Sequence, residues 1–156
     1  MENQTIEVVL SECAAFKGLA PSSLKYLADC ASRLSFAPDA FIFREGEKAN
    51  RFYLIEEGMV SLELSVAGRG VMTIQTLKKG DLLGWSWFDA PYQWHFDAKA
   101  LEPTRAIAFD AAAIRARCEE DHAFGYEILK RFVHVMAERL QAARLQLLDV
   151  YKPHTL

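Results

Sequence analysis

The sequence predicts a mainly β fold with flanking α: an antiparallel β jelly roll with N-terminal helices before it and a long C-terminal helix after it. Three observations predict this. Apolar residues recur at three- and four-residue steps up to about residue 35, the period falls to two between 36 and 110, and the helical period returns from 111 nearly to the end. With 156 residues, 51% of them apolar, the chain is long enough for one well-buried core and short for two. It reads as a single domain over 1–156, made of N-terminal helices (1–35), a β-roll (36–110) and C-terminal helices (111–151).

Ile6, Val9, Leu10, Cys13 and Phe16 form the first helical stripe. Leu24, Leu27, Ala28 and Ala31 form a second after the start signal Pro21-Ser22-Ser23, and the helical reading continues to about Leu34. In the middle zone, Phe41-Ile42-Phe43, Phe52-Tyr53-Leu54-Ile55, Val60 to Leu64 and Met72 to Thr76 are short strands. Glycine turns at Gly46, Gly58, Gly68 and Gly70 separate them. Such regular spacing of short strands suits an antiparallel jelly roll or barrel.

In the last zone, Tyr126, Leu129, Val133, Met136, Leu140, Ala143, Leu147 and Val150 step by three and four residues, a heptad seam of more than three repeats. Ile128, Phe132 and Val135 form a second stripe on another side of the same helix. One stripe can face the roll, and the other needs a second partner. The simplest partner is the same helix of another copy, so the seam predicts a two-fold homodimer carried by Tyr126, Leu129, Val133, Met136, Leu140, Ala143 and Leu147. The alternative, a helix buried on both sides within one chain, asks for more cover than a chain of this size has left.

Composition narrows the function classes. The net charge is −3, with no basic block to lie along a phosphate backbone, so no direct DNA binding is expected. The start Met1-Glu2-Asn3-Gln4 has no signal-peptide character, and no stretch approaches the ~20 apolar residues that span a bilayer. A soluble, cytoplasmic protein without membrane attachment is the expectation. Cys13, Cys30 and Cys118 are far apart and odd in number, which fits buried free thiols. His95, His122, His134 and His154 are isolated, so no metal site is expected. Neither a G-x-S-x-G elbow nor a paired-carboxylate arrangement is present, which predicts a non-enzymatic protein. Asp89 with Ala90-Pro91 reads as a turn and Asp97 as a solvated strand residue. Arg139, Arg144 and Lys152 read as the solvated edge of the last helix.

The order of elements and the residues at the turns together resemble a known family. Phe16 with Leu19, Gly46-Glu47, Tyr53-Leu54-Ile55 before Gly58, Val60 and Leu62, and then Gly80-Asp81-Leu82-Leu83-Gly84 are similar to the cyclic-nucleotide-binding domain of the catabolite-activator and fumarate-nitrate-reduction regulator superfamily. The resemblance runs from about Phe16 to Tyr151. It implies a pocket inside the roll with a phosphate-binding cassette after the second glycine. There, a short helix offers backbone N–H groups to the cyclic phosphate, a glutamate takes the ribose hydroxyl, and an arginine followed by Ser or Thr neutralises the charge. It also implies that a helix-turn-helix domain commonly follows the long helix. This chain reaches Leu156 five residues after Tyr151, so a stand-alone sensor or adaptor acting through a separate effector protein is expected.

The cassette itself departs from the pattern. Trp85 stands at the glutamate position. Counting back from Lys99-Ala100 puts Trp94 at the arginine position and His95 at the Ser/Thr position, and no arginine lies between Gly70 and Thr104. A buried phosphate without a countercharge is costly, so ordinary cyclic-AMP binding is not expected. Trp85, Trp87, Phe88, Tyr92, Trp94 and Phe96 bring six of the chain's eighteen aromatics into this segment, including every tryptophan. Either these rings fill the nucleotide's place, or they wall a site for a flat ligand. The candidate ligand-binding residues are Gly84, Trp85, Ser86, Trp87, Trp94, His95 and Phe96. No cofactor is expected, and the ligand would be a small molecule or nucleotide. A ligand-free interaction module and a cyclic-AMP or cyclic-GMP receptor with a substituted cassette remain the alternatives.

Overall fold

The computed structural model describes residues 4–150. The start of the chain at Met1-Glu2-Asn3, the expected helix end at Tyr151, the tail residues Lys152 and His154, and the side chain of Val150 lie outside the described residues.

The N-terminal helices are shorter than their periodicity suggests. Helix α1 is Ile6–Glu12, capped by Thr5, whose hydroxyl accepts from the Val8 N–H at 3.3 Å. A 3-10 turn follows at Ala14–Phe16, and helix α2 is Pro21–Asp29 with proline at its first turn. The expected helical run to residue 35 stops at Asp29. Ala31–Phe36 is instead strand β1, and all six of its residues pair with the last strand of the roll. Ladder pairing overrides the helical spacing of Leu27, Ala28 and Ala31.

The remaining strands are β2 (Phe41–Phe43), β3 (Arg51–Glu57), β4 (Met59–Val66), β5 (Gly70–Lys78), β6 (Leu82–Leu83), β7 (Asp97–Ala100) and β8 (Thr104–Asp110). They make two four-stranded sheets, β1-β8-β3-β6 and β2-β7-β4-β5, with every pairing antiparallel. This is the jelly roll that the sequence predicts. In β3, Phe52, Tyr53, Leu54 and Ile55 are all buried rather than alternating, because side chains on both faces of this central strand are covered.

The C-terminal zone contains α3 (Ala111–Glu120) and α4 (His122–Val150). Asp110 and Asp121 cap them, accepting from the Ala113 and Phe124 N–H groups at 3.3 and 3.1 Å. Helix α4 separates its two stripes as its spacing requires. Ile128, Phe132 and Val135 are buried, while Tyr126, Leu129, Val133, Met136, Leu140 and Leu147 are between 42% and 70% exposed. Ala143 is half-buried. Arg131 anchors the helix to the 3-10 turn by donating to the Ala15 carbonyl at 3.0 Å. Where α4 meets the roll, Phe52 stacks between Phe109 and Trp87, each 4.6 Å away, and Phe132 meets its edge at 4.8 Å. This aromatic knot joins the first sheet, the segment after β6 and the long helix into one core.

The closed interior of the roll as candidate functional site

The segment from Gly84 to Phe96 holds no helical residue. It opens with a turn in which the Phe88 N–H bonds to the Trp85 carbonyl at 3.2 Å. A second turn follows, in which the Tyr92 N–H bonds to the Asp89 carbonyl at 2.9 Å around a cis Ala90–Pro91 peptide. Where the resemblance implies a short helix the chain makes a single turn, in which the Trp85, Ser86 and Trp87 N–H groups donate to no other group among the described residues.

Trp94 occupies the centre. Its backbone is fixed to the turn after β2, donating to the Glu47 carbonyl and accepting from the Gly46 N–H, both at 2.9 Å. Its ring lies flat on Phe43, with centroids 3.7 Å apart and planes 6° apart. The outer carbons of its six-membered ring meet Gly84, which has φ of +98°. A Cβ there would sit 2.6 Å from two atoms of the indole. Gly84 thus serves two purposes: it turns the chain where L side chains are strained, and it yields the space that the indole uses. The void left between the ring and Gly84 is about 10 Å³, at the lower edge of the ~10–15 Å³ that one water needs, and a more open cleft of about 240 Å³ borders the same ring beside Phe43, Arg51 and Tyr53. Leu62 and Leu83 close the small void from the sheets, and Trp85, Ser86 and Phe96 from the segment itself.

Five of the seven residues singled out in the sequence therefore surround this void: Gly84, Trp85, Ser86, Trp94 and Phe96. The other two do not. Trp87 is fully buried against Phe52 and Phe132 in the main core, and its Nε1–H has no partner. It is a packing residue, which corrects its placement in the pocket. His95 is exposed and sits outside, with its ring stacked 4.6 Å from Trp85 and its Nδ1 2.8 Å from the Ser86 hydroxyl. Neither of the nearby cations contributes. Lys99 faces Asp39 at 3.9 Å, and Arg105 is paired with Glu56 and Glu57, each at 3.4 Å. Asp97 is held rather than solvated, accepting from the Glu45 N–H at 2.7 Å beside Arg44.

Sequence reasoning missed the one cation that does reach the void. Arg139 is not on the solvated edge of α4: it is only 4% exposed and lines the void opposite Ser86 and Trp94. It donates to Gln75 Oε1 at 3.0 Å and to the Leu82 carbonyl at 2.7 Å. Burial holds its pKa below the usual guanidinium value, against the opposing charges of Glu138 and Asp81. A signal for it existed. Ile128, Phe132 and Val135 step by four and three, and the next step of four lands on Arg139.

Other chemistry is sparse among the described residues. No helix is long and apolar enough to cross a membrane, and no group of three or more His, Cys, Asp or Glu is gathered as a metal site would require. All three cysteines are free, and burial pushes the Cys118 thiol up to about 11. Clefts of about 550 and 460 Å³ lie outside the roll, one under α1 and one between the 3-10 turn and α4.

Comparison with known proteins decides the family. The family model described as the cyclic nucleotide-binding domain matches residues 33–121. The chain belongs to the cyclic nucleotide-binding domain family. This cyclic nucleotide-binding domain is 25% identical, over 93% of its length, to the CRP-like cAMP-activated global transcriptional regulator of Mycobacterium tuberculosis, and spans 63% of that relative's length. A solved structure from Geobacter metallireducens GS-15 superposes with a TM-score of 0.78 at 26% identity, covering 88% of this chain and 99% of the other. The catabolite activator protein of Thermus thermophilus gives 0.69 at 25% identity, covering 85% and 61%.

In this cyclic nucleotide-binding domain, Gly84→Ala should expel the Trp94 ring from its place on Phe43. The expected result is a red-shifted, more quenchable tryptophan emission and a loss of about 1–3 kcal/mol in denaturant unfolding. An unchanged emission spectrum and unchanged stability would show that the indole does not depend on that glycine.

Proposed function

We propose that this domain is a non-enzymatic regulatory module that does not bind cyclic AMP in its family's usual mode, and that it acts as a homodimer joined through α4. The observation that carries the first part is the position of Trp94. Its indole takes the interior space at the position where the resemblance puts an arginine, and the void that remains beside Gly84, about 10 Å³, is far too small for a nucleotide. The cassette segment is a turn rather than a helix, and the guanidinium at the void belongs to α4 and already serves Gln75 and Leu82. Entry of an occupant would have to move Trp94 and the segment around it. Phe132, Trp87 and Arg139 couple that segment to α4, which makes the long helix the natural output.

The dimer reading rests on the exposed seam from Tyr126 to Leu147. It is about 30 Å long at 1.5 Å per residue and lies on a different side from the stripe buried on the roll. An apolar stripe of this length suits a self-complementary helix pair. A second reading, a ligand-free interaction module, is favoured by the closed void itself. The two share the dimer and differ in whether any small molecule opens the roll. In either case the readout passes to a separate effector, and the whole-protein activity of the mycobacterial relative is not carried over.

Titration of the wild-type protein with cyclic AMP or cyclic GMP, followed by tryptophan emission, should give no saturable change up to millimolar concentration. All three indoles lie within the segment, so saturation in the micromolar range would overturn the reading. Leu140→Glu should convert a dimer to a monomer in sedimentation velocity, with little loss of stability, since Leu140 is 70% exposed. An unchanged sedimentation coefficient would remove the α4 interface.

A further inference from the structure

Arg139 combines two properties that rarely coexist: it is almost completely buried, and among the described residues no carboxylate lies within ion-pair distance of it. Both groups it bonds, the Gln75 side-chain oxygen and the Leu82 carbonyl, are neutral. Burying a charge with no carboxylate paired to it is costly, Glu138 and Asp81 acting on it only from beyond ion-pair distance, and a planar guanidinium has five N–H donors arranged to match an oxyanion. The same void is bordered by flat rings, Trp94 stacked on Phe43 and Trp85 and Phe96 beside them, while the Ser86 hydroxyl is engaged by His95. One fixed positive charge and a set of aromatic faces define a ligand chemistry.

We propose that the interior of the roll is a binding site for a planar aromatic monocarboxylate, with Arg139 as its anion-recognising residue and Trp94 as the side chain that swings aside to admit it. The proposal rests on the reading of the roll as a regulatory pocket and names its ligand class. A single guanidinium matches a single negative charge, and its fork matches the two oxygens of a carboxylate. A phosphate monoester near neutral pH would bring close to two charges against one cation, with no helix N-terminus to share the load. The site is emptied by the departure of one indole, so it suits an occupant of about one or two rings, which would inherit the stack on Phe43. Trp94 sits in a segment without helix or strand, so its side chain can leave without dismantling a sheet. When the carboxylate takes the guanidinium, Arg139 gives up bonds to β5 and β6. The hold of α4 on the roll changes with it, which turns occupancy into a helix movement.

The test uses the full chain and two matched probes, indole-3-acetate and its uncharged amide, with the Arg139 Nε–Hε resonance followed by nitrogen–proton correlation NMR. The acid should shift that resonance saturably, and the amide should bind at least about tenfold more weakly, as loss of a charge-assisted pair implies. Arg139→Gln should erase the preference for the acid. Should that variant fail to fold, Trp94→Leu keeps Arg139 in place, removes the plug, and should bind the acid more tightly than the wild type does. Equal binding of acid and amide, or no response to the acid in both wild type and Trp94→Leu, would overturn the proposal. Cyclic AMP is run separately against the wild type. Its capture would contradict the proposed function whatever the carboxylate does, and a silent carboxylate with cyclic AMP also silent would leave that function standing without this ligand.

Discussion

The structure turns on one steric exchange, in which an indole sits where the Cβ of any other residue at position 84 would sit. The Trp94 ring stacks on Phe43 with centroids 3.7 Å apart, and two of its outer carbons come within 2.6 Å of where a Cβ on Gly84 would stand. The same glycine has positive φ at the end of β6, so the turn that starts the segment and the wedge that fills the roll have a common cause. Everything about the candidate site follows from this. The void shrinks to about 10 Å³, Trp85 and Phe96 close over it, and Ser86 turns to His95.

The second constraint is α4, which carries two apolar faces and a buried charge at the same time. Phe132 meets Trp87 in the aromatic knot, and Arg139 lines the same void as Trp94, so one helix reaches both interior parts of the segment. The exposed seam from Tyr126 to Leu147 runs along another side of the same rod. A helix gripped by the roll on one side and open to a partner on the other is built to relay a shift from one to the other, since packed elements move as units rather than deforming.

The sequence carried the roll legibly because its strands are short runs of strand-forming residues and its turns need glycine, both local signals. The two stripes of α4 were equally legible, since helical spacing alone distinguishes Ile128-Phe132-Val135 from Leu129-Val133-Met136. The failures were tertiary. Ala31 to Leu34 has helical spacing with Leu27 and Ala28, yet β8 offers a six-residue ladder that no local pattern announces. Trp87 and Trp94 are two of three tryptophans in one short segment, and only packing reveals that one belongs to the main core and the other to the pocket. Arg139 was read by its charge as a surface residue, although its place in the buried stripe pointed inward. Residue type outweighed periodicity in that reading, and periodicity was the better guide.

The state of the Trp94 ring decides the account. Fluorine NMR of the protein labelled with 5-fluorotryptophan, with Trp94 assigned by Trp94→Phe, measures it directly. A single ring-current-shifted resonance with no solvent-isotope effect, unmoved by millimolar cyclic AMP, is the result that a wedged indole requires. A resonance at the position of a solvent-exposed tryptophan, or one that cyclic AMP displaces saturably, would contradict it.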